Sequence, residues 1–129
     1  VAERAAEALS AEGVEARVVN MRWVKPMDLE AVSAAMGTSL IVTIEENTGL
    51  GGFGAGVLEA LADLGAETPV LRLAIADCFV THGHMSRLLA DVGLTPESVA
   101  TAVLGRLRDI RASESDRSDG RAQARRRTR

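Results

Sequence analysis

Apolar residues recur along the chain with two different periods, which predict helices alternating with strands. Ala2, Ala5, Ala6 and Leu9 share one helical face and predict a helix over residues 1 to 12, which Gly13 ends. The continuous apolar run at 40 to 45 predicts a strand covered on both faces. Residues 69 to 75 predict another strand, and the short β-branched run at 16 to 21 predicts a third.

Capping signals place the remaining helices between these strands. Asp28 is a predicted N-cap for a helix over 29 to 36, and Thr95 followed by Pro96 predicts the start of the last helix. A helix after the glycine-rich segment 49 to 56 ends at Gly65, and another runs through Leu88 and Leu89 to Asp91. The alternation predicts an α/β fold, a three-layer α/β/α sandwich with a mainly parallel sheet.

The first helix has no strand before it, and the sequence does not begin with methionine. We therefore expect a fragment whose sheet lacks its N-terminal strands. The boundary of the domain is expected near residue 110. Residues 111 to 129 carry seven arginines, three acids and no apolar residue larger than alanine. This composition predicts a disordered tail.

Charge and composition narrow the classes of partner. Residues 1 to 110 carry a net charge of −7, which does not favour nucleic acid, and the tail carries +4 with interspersed acids and no aromatic residue. No apolar run approaches the roughly 20 residues of a membrane span. With the single cysteine, Cys78, and no visible secretory signal, these features predict a cytoplasmic protein without membrane or nucleic-acid partners.

A glycine-rich segment is the strongest candidate for a ligand site. Gly49-Leu50-Gly51-Gly52-Phe53-Gly54 fits the G-x-G-x-x-G pattern of dinucleotide sites, between a strand and a helix. Three residues separate its first glycine from the predicted strand, and Glu45 and Glu46 would place negative charge near a pyrophosphate. The alternative is a loop whose glycines permit close contact with another segment.

Other chemistry-bearing residues give weaker signals. Glu45 and Glu46 are adjacent on a strand and point to opposite faces, so they cannot act together on one substrate, and one of them could cap the nearby helix. His82 and His84 have no third potential ligand at a suitable spacing, so the spacing argues against a metal site. Cys78 is expected to be a small buried residue. No catalytic, cofactor-binding or metal-binding residue is therefore assigned.

Several stretches taken in order resemble the last domain of the 1-deoxy-D-xylulose-5-phosphate synthases, in the transketolase superfamily. The similarity covers residues 1 to 107. The stretches are Gly13 to Asn20, Arg22-Trp23-Val24-Lys25-Pro26-Met27-Asp28, Val42 to Asn47, Gly51 to Val57, and Asp77-Cys78-Phe79-Val80-Thr81-His82-Gly83. The blocks at 22 to 28 and at 45 to 54 resemble the wider superfamily, including 2-oxo acid dehydrogenase β subunits. The block at 77 to 83 resembles the synthases specifically.

The resemblance implies a parent enzyme that joins a two-carbon unit from pyruvate to glyceraldehyde 3-phosphate, for isoprenoid, thiamine and pyridoxal synthesis. It also implies that thiamine diphosphate and Mg²⁺ are held by preceding domains, that this domain supports a homodimer, and that the chain alone is inactive. Candidate contact residues are Glu45, Glu46, Gly51, Gly52, Gly54, His82 and Gly83. The alternatives are the dehydrogenase β subunit, a transketolase, or a non-catalytic interaction module.

Overall fold

A computed structural model describes the backbone of residues 1–127 and the side chains of residues 1–117. Five helices and two strands alternate along this part of the chain. They are α1 (Ala2–Ala11), α2 (Leu29–Ala35), β1 (Ile41–Thr48), α3 (Phe53–Asp63), β2 (Val70–Ile75), α4 (Met85–Asp91) and α5 (Pro96–Arg127). Strands β1 and β2 are parallel neighbours, with Ile41 opposite Val70 and Ile44 opposite Leu73.

The helices cover both faces of this sheet, as the alternation of its side chains requires. Val42 and Ile44 of β1 pack with Ala5 and Leu9 of α1 and with the start of α5. Ile41 faces the other way and packs with Val57 and Leu61 of α3 and Val32 of α2. The three-layer α/β/α architecture is thereby confirmed, with a sheet of only two strands in the described residues.

Local signals placed the helix starts correctly. The Asp28 carboxylate accepts a 2.9 Å hydrogen bond from the backbone N–H of Ala31, and the Thr95 hydroxyl accepts one from the N–H of Ser98. These bonds satisfy amides that the first helical turn leaves without intrahelical partners. The predicted caps of α2 and α5 are confirmed.

The third predicted strand is not part of the sheet. Residues 14–20 form neither a helix nor a strand, and residues 15–20 are exposed and pair with no other strand among the described residues. A strand requires a neighbour at hydrogen-bonding distance, which β-propensity alone does not supply. The strand predicted from the short β-branched run at 16 to 21 was therefore wrong for the described residues.

The structure also differs from the sequence-based expectation for the arginine-rich tail. Helix α5 crosses the expected boundary at residue 110 and continues to Arg127. Residues 111–127 contain no proline and several alanines and arginines, which favour helix. Residues 128–129, and the side chains beyond residue 117, lie outside the described residues.

One stretch among the described residues, Met85–Arg117, meets the length and composition of a membrane-spanning helix. It consists of α4 and α5, separated by a turn in which Gly93 has a φ of +73°. Val99 and Val103 of this stretch are buried in the core with Ala5 and Leu9 of α1, and Leu94 is buried as well. Packing within the domain therefore accounts for part of its apolar residues, while Met85 is 62% exposed.

Candidate functional site

Three connections meet at the carboxyl edge of the sheet, and together they form the candidate site. The loop 49–52 follows β1, and the loop 76–84 follows β2. The guanidinium of Arg72 donates a 2.7 Å hydrogen bond to the carbonyl oxygen of Gly49, which ties β2 to the first loop. The third connection, 21–28, reaches the same edge, because Met27 lies against Gly56 in the first turns of α3.

The carboxylate of Glu45 closes the N-terminus of α3. Its Oε2 accepts a 2.7 Å hydrogen bond from the N–H of Phe53, and its Oε1 accepts a 2.8 Å bond from the N–H of Gly54. A carboxylate at this position is also stabilised by the positive end of the helix dipole. Of the two adjacent acids, Glu45 is the one that caps the helix, and Glu46 is exposed.

Two glycines of the loop are required by the closeness of this contact. A Cβ on Gly52 would overlap the carbonyl oxygen of Thr48 and the carboxylate of Glu45. A Cβ on Gly54 would lie 2.6 Å from Thr43 Oγ1 and 3.0 Å from Arg72 Cδ. Gly51 adopts a φ of +68°, which side-chain-bearing residues rarely adopt. The glycines therefore permit a close approach within the domain, as the second interpretation of the motif required.

The geometry bears on the dinucleotide alternative in two ways. Strand β1 continues to Thr48, so Gly49 follows the strand directly and the expected three-residue separation was wrong. Because residues 45–48 are polar, the hydrophobic pattern placed the end of the strand too early in the sequence. The second argument is stronger, because Glu45 already binds the first amides of α3 that a pyrophosphate would need. The capped helix therefore disfavours nucleotide binding.

The remaining candidates are spread along the exposed loop 76–84. His82, Gly83 and His84 are exposed, and Gly83 lies next to Leu88 of α4. Among the described residues, no three His, Cys, Asp or Glu side chains are grouped as metal ligands would be. Cys78 is exposed, so the expectation of a buried thiol was wrong. It follows Asp77 in the loop 76–84, whose residues are all exposed in the described part of the chain.

The six most exposed large apolar side chains lie in or next to the three connections that form this edge, and the sequence reasoning did not assign them to the site. Trp23 is 72% exposed, Leu50 is 68% exposed, and Phe79 is fully exposed. Val24, Leu29 and Met85, each more than half exposed, lie beside them in sequence or start the following helices. We call these six residues the edge patch. Soluble domains rarely expose such a concentration of apolar side chains unless a partner covers it.

The described residues do not fit thiamine diphosphate or Mg²⁺. A diphosphate with its metal needs several oxygen ligands and free donors in one place. The N-terminus of α3 at the carboxyl edge is occupied by Glu45, and among the described residues no three His, Cys, Asp or Glu side chains are grouped as metal ligands would be. No step of cofactor chemistry is therefore derived from this chain.

Comparison with known families shows the family to which this fold belongs. Residues 1–99 match the family described as "Transketolase, C-terminal domain". The match covers more than half of the chain, and the chain belongs to this family.

Curated relatives narrow the position within the family. The chain is 46% identical over 101 residues to 1-deoxy-D-xylulose-5-phosphate synthase of Gloeobacter violaceus, and 48% identical over 101 residues to that of Heliobacterium modesticaldum. It is 45% identical over 104 residues to the same enzyme of Thermomicrobium roseum. Each match covers 78% to 80% of this chain but 16% of the relative. The chain thus spans about one sixth of the length of these synthases.

Proposed function

We propose that this chain is the C-terminal accessory lobe of a 1-deoxy-D-xylulose-5-phosphate synthase and that its carboxyl edge docks against the rest of that enzyme. The parent would be a transketolase-type transferase that decarboxylates pyruvate on thiamine diphosphate and adds the two-carbon unit to glyceraldehyde 3-phosphate. The cofactor and Mg²⁺ would be held by the preceding domains. The lobe alone would be inactive.

The edge patch is the observation that carries this proposal. Trp23, Leu50 and Phe79 come from three separate connections and are exposed at one edge of the sheet. Aromatic and large apolar side chains of this kind contribute most of the binding free energy at protein interfaces. Both ends of the glycine loop beside them are held by hydrogen bonds. Arg72 binds the carbonyl oxygen of Gly49 at one end, and Glu45 binds the amide of Phe53 at the other.

The contact residues expected from the sequence lie in or next to the connections that form this edge. Glu46, His82 and Gly83 are exposed beside the patch, while Glu45, Gly52 and Gly54 build the loop beneath it. We propose that these residues contact the preceding domains of one subunit and support a homodimer of the parent enzyme in the cytoplasm. The pathway products, precursors of isoprenoids, thiamine and pyridoxal, follow from the same assignment.

The experiment compares Phe79→Ser with Leu64→Ser in the intact parent enzyme. Leu64 is 41% exposed at the opposite end of α3 and serves as the matched control. We expect Phe79→Ser to weaken dimerisation or interdomain docking by about 2 kcal/mol and to lower turnover, because it removes an interface anchor. Leu64→Ser should leave sedimentation and turnover unchanged. Equal behaviour of the two variants would contradict the proposal.

A further inference from the structure

The acidic charge of the domain is concentrated in one stretch of the sequence. Residues 26–71 contain seven acidic residues and no lysine, arginine or histidine. Residues 1–25 and 72–110 together contain eight acidic residues and eight lysines and arginines. The net charge of −7 over residues 1–110 therefore comes entirely from the stretch that forms α2, β1, α3 and their connections.

Helix α3 presents an exposed part of this charge. Glu59 and Asp63 are exposed and lie four residues apart, on the same side of the helix. Glu67 follows at the same interval in the loop before β2 and is also exposed. In the part of the chain whose side chains the structure describes, no ion pair joins any of the three to a basic residue. We call these three residues the acidic strip.

Helix α5 carries charge of the opposite sign on the other side of the sheet. Its first half packs with α1 on the sheet through residues as far as Leu107. The described side chains beyond Ile110, those of residues 111–117, are all exposed, while the backbone continues as one helix to Arg127. We call residues 111–127 the α5 extension. It is about 25 Å long, and residues 111–129 carry seven arginines against three acids.

The α5 extension needs a partner that its own copy does not supply. A helix of this length with no packed face is only marginally stable in water. The composition excludes an apolar groove as the partner, because no residue of the extension is both apolar and larger than alanine. The acidic strip of the same copy belongs to the opposite helical layer, so α5 would have to break to reach it. A second copy presents the same strip to an intact helix.

We infer that the α5 extension of one copy docks along the acidic strip of a second copy, and that two such contacts related by a two-fold axis join the pair. The sequence places arginines at 117, 121 and 125, the same four-residue interval as the acids of the strip. Arginine suits this contact, because the guanidinium group can bind a carboxylate through two parallel hydrogen bonds. Nucleic acid is the competing partner, but the charge of −7 on residues 1–110 would repel its phosphates. The surface is separate from the edge patch and does not depend on the proposed function.

Salt dependence gives the first test, by sedimentation equilibrium of the 129-residue chain. We expect a dimer at an ionic strength of about 20 mM and a Kd that rises about tenfold or more at about 0.5 M, because exposed ion pairs are screened. Association through the apolar edge patch would not weaken with salt. This measurement needs no substitution, so it tests the inference even where a variant fails to fold.

A charge exchange between two variants gives the second test. The strip variant is Glu59→Arg/Asp63→Arg, and the extension variant is Arg117→Glu/Arg121→Glu/Arg125→Glu. Each variant alone should show a Kd about tenfold or more above that of the unmodified chain, because like charges would face each other. An equimolar mixture should regain the original Kd, since both contacts again join opposite charges.

The matched control is Glu3→Arg/Glu7→Arg, which makes the same change in net charge at two exposed acids four residues apart on α1. It should leave the Kd within about twofold. The inference is overturned if the unmodified chain stays monomeric at low salt, if the control loses association as the strip variant does, or if the mixture of variants does not associate. Tighter binding of a DNA or RNA duplex than of a second copy would also overturn it and would assign the extension to nucleic acid.

Discussion

Glu45 binds the backbone amide of Phe53 across eight residues of sequence, with 2.7 Å between Oε2 and the nitrogen. The bond joins the strand to the first turn of the following helix and occupies the position where related loop geometries bind phosphate. A motif that suggests a ligand site is thus used to fix a loop. The exposed residues around that loop, rather than its amides, are available for contact.

Removal of this cap should destabilise the domain. Glu45→Ala leaves two amides of α3 without their acceptor, and we expect the free energy of unfolding to fall by about 2 kcal/mol. Glu46→Ala is the matched control, because Glu46 is exposed and has no described contact with the helix. It should change stability by less than about 0.5 kcal/mol. Urea unfolding of both variants measures the difference, and equal midpoints would contradict the assigned cap.

The close packing of the loop makes a second prediction. Gly54→Ala would place a methyl group 2.6 Å from Thr43 Oγ1, and we expect a loss of about 2 to 3 kcal/mol in stability. Gly105→Ala provides a control of opposite sign, because Gly105 lies within α5 and no atom lies within 4 Å of an added Cβ. That substitution should stabilise by about 0.5 to 1 kcal/mol. Thermal unfolding distinguishes the two, and a gain for Gly54→Ala would contradict the packing.

The elements set by local signals were predictable from the sequence, and those that depend on distant segments were not. Asp28 and Thr95 cap helices whose amides lie three residues away, so a short sequence window contains the whole interaction. Whether residues 16–21 pair as a strand depends on a neighbouring segment that a short sequence window does not contain. The end of β1 was misplaced because residues 45–48 are polar, although their backbone continues along β2.

The glycine loop at the candidate site was recognisable from the sequence, but the exposed side chains around it were not, and the contact role of these residues stays a prediction. Glu45, Gly52 and Gly54 were recognisable because their residue types and order form a motif. The exposure of Trp23 and Phe79 depends on which segments cover them, and sequence hydrophobicity alone favours burial. Aromatic residues are only 2% of the chain, and two of the three, Trp23 and Phe79, belong to the edge patch. That scarcity was the available signal.

A buried hydroxyl predicts a stabilising substitution. Thr43 is 4% exposed, and its Oγ1 has no hydrogen-bond partner among the residues that the structure describes. Thr43→Val replaces the hydroxyl by a methyl group of similar size, and we expect a gain of about 1 kcal/mol because an unsatisfied polar atom is removed. Thr101→Val is the control, since the Thr101 hydroxyl donates a 2.8 Å bond to Glu97 at an exposed site. A loss of stability in Thr43→Val would indicate a partner for this hydroxyl.

Glu97 in the first turn of α5 should make the free energy of unfolding vary with pH in the acidic range. Its own backbone amide donates a hydrogen bond to the carboxylate, the Thr95 hydroxyl adds another, and Arg4 of α1 adds a favourable charge, which together hold the pKa of Glu97 below its ordinary value. A carboxyl group whose pKa is lower in the folded state contributes stability above its unfolded pKa. This contribution is lost as the pH falls through the folded pKa.

Glu97→Gln tests this dependence without a large change in shape. The variant should be less stable than the parent sequence at neutral pH, and the difference should vanish at a pH below the lowered pKa, where Glu97 is protonated. The effect should be small, because the side chain is exposed, and salt should reduce it further. Glu67→Gln is the control, because Glu67 is exposed in the loop before β2, away from any helix N-terminus. The urea midpoints of both variants are measured across the acidic pH range. The prediction is contradicted if the midpoints of Glu97→Gln follow the same curve as those of Glu67→Gln.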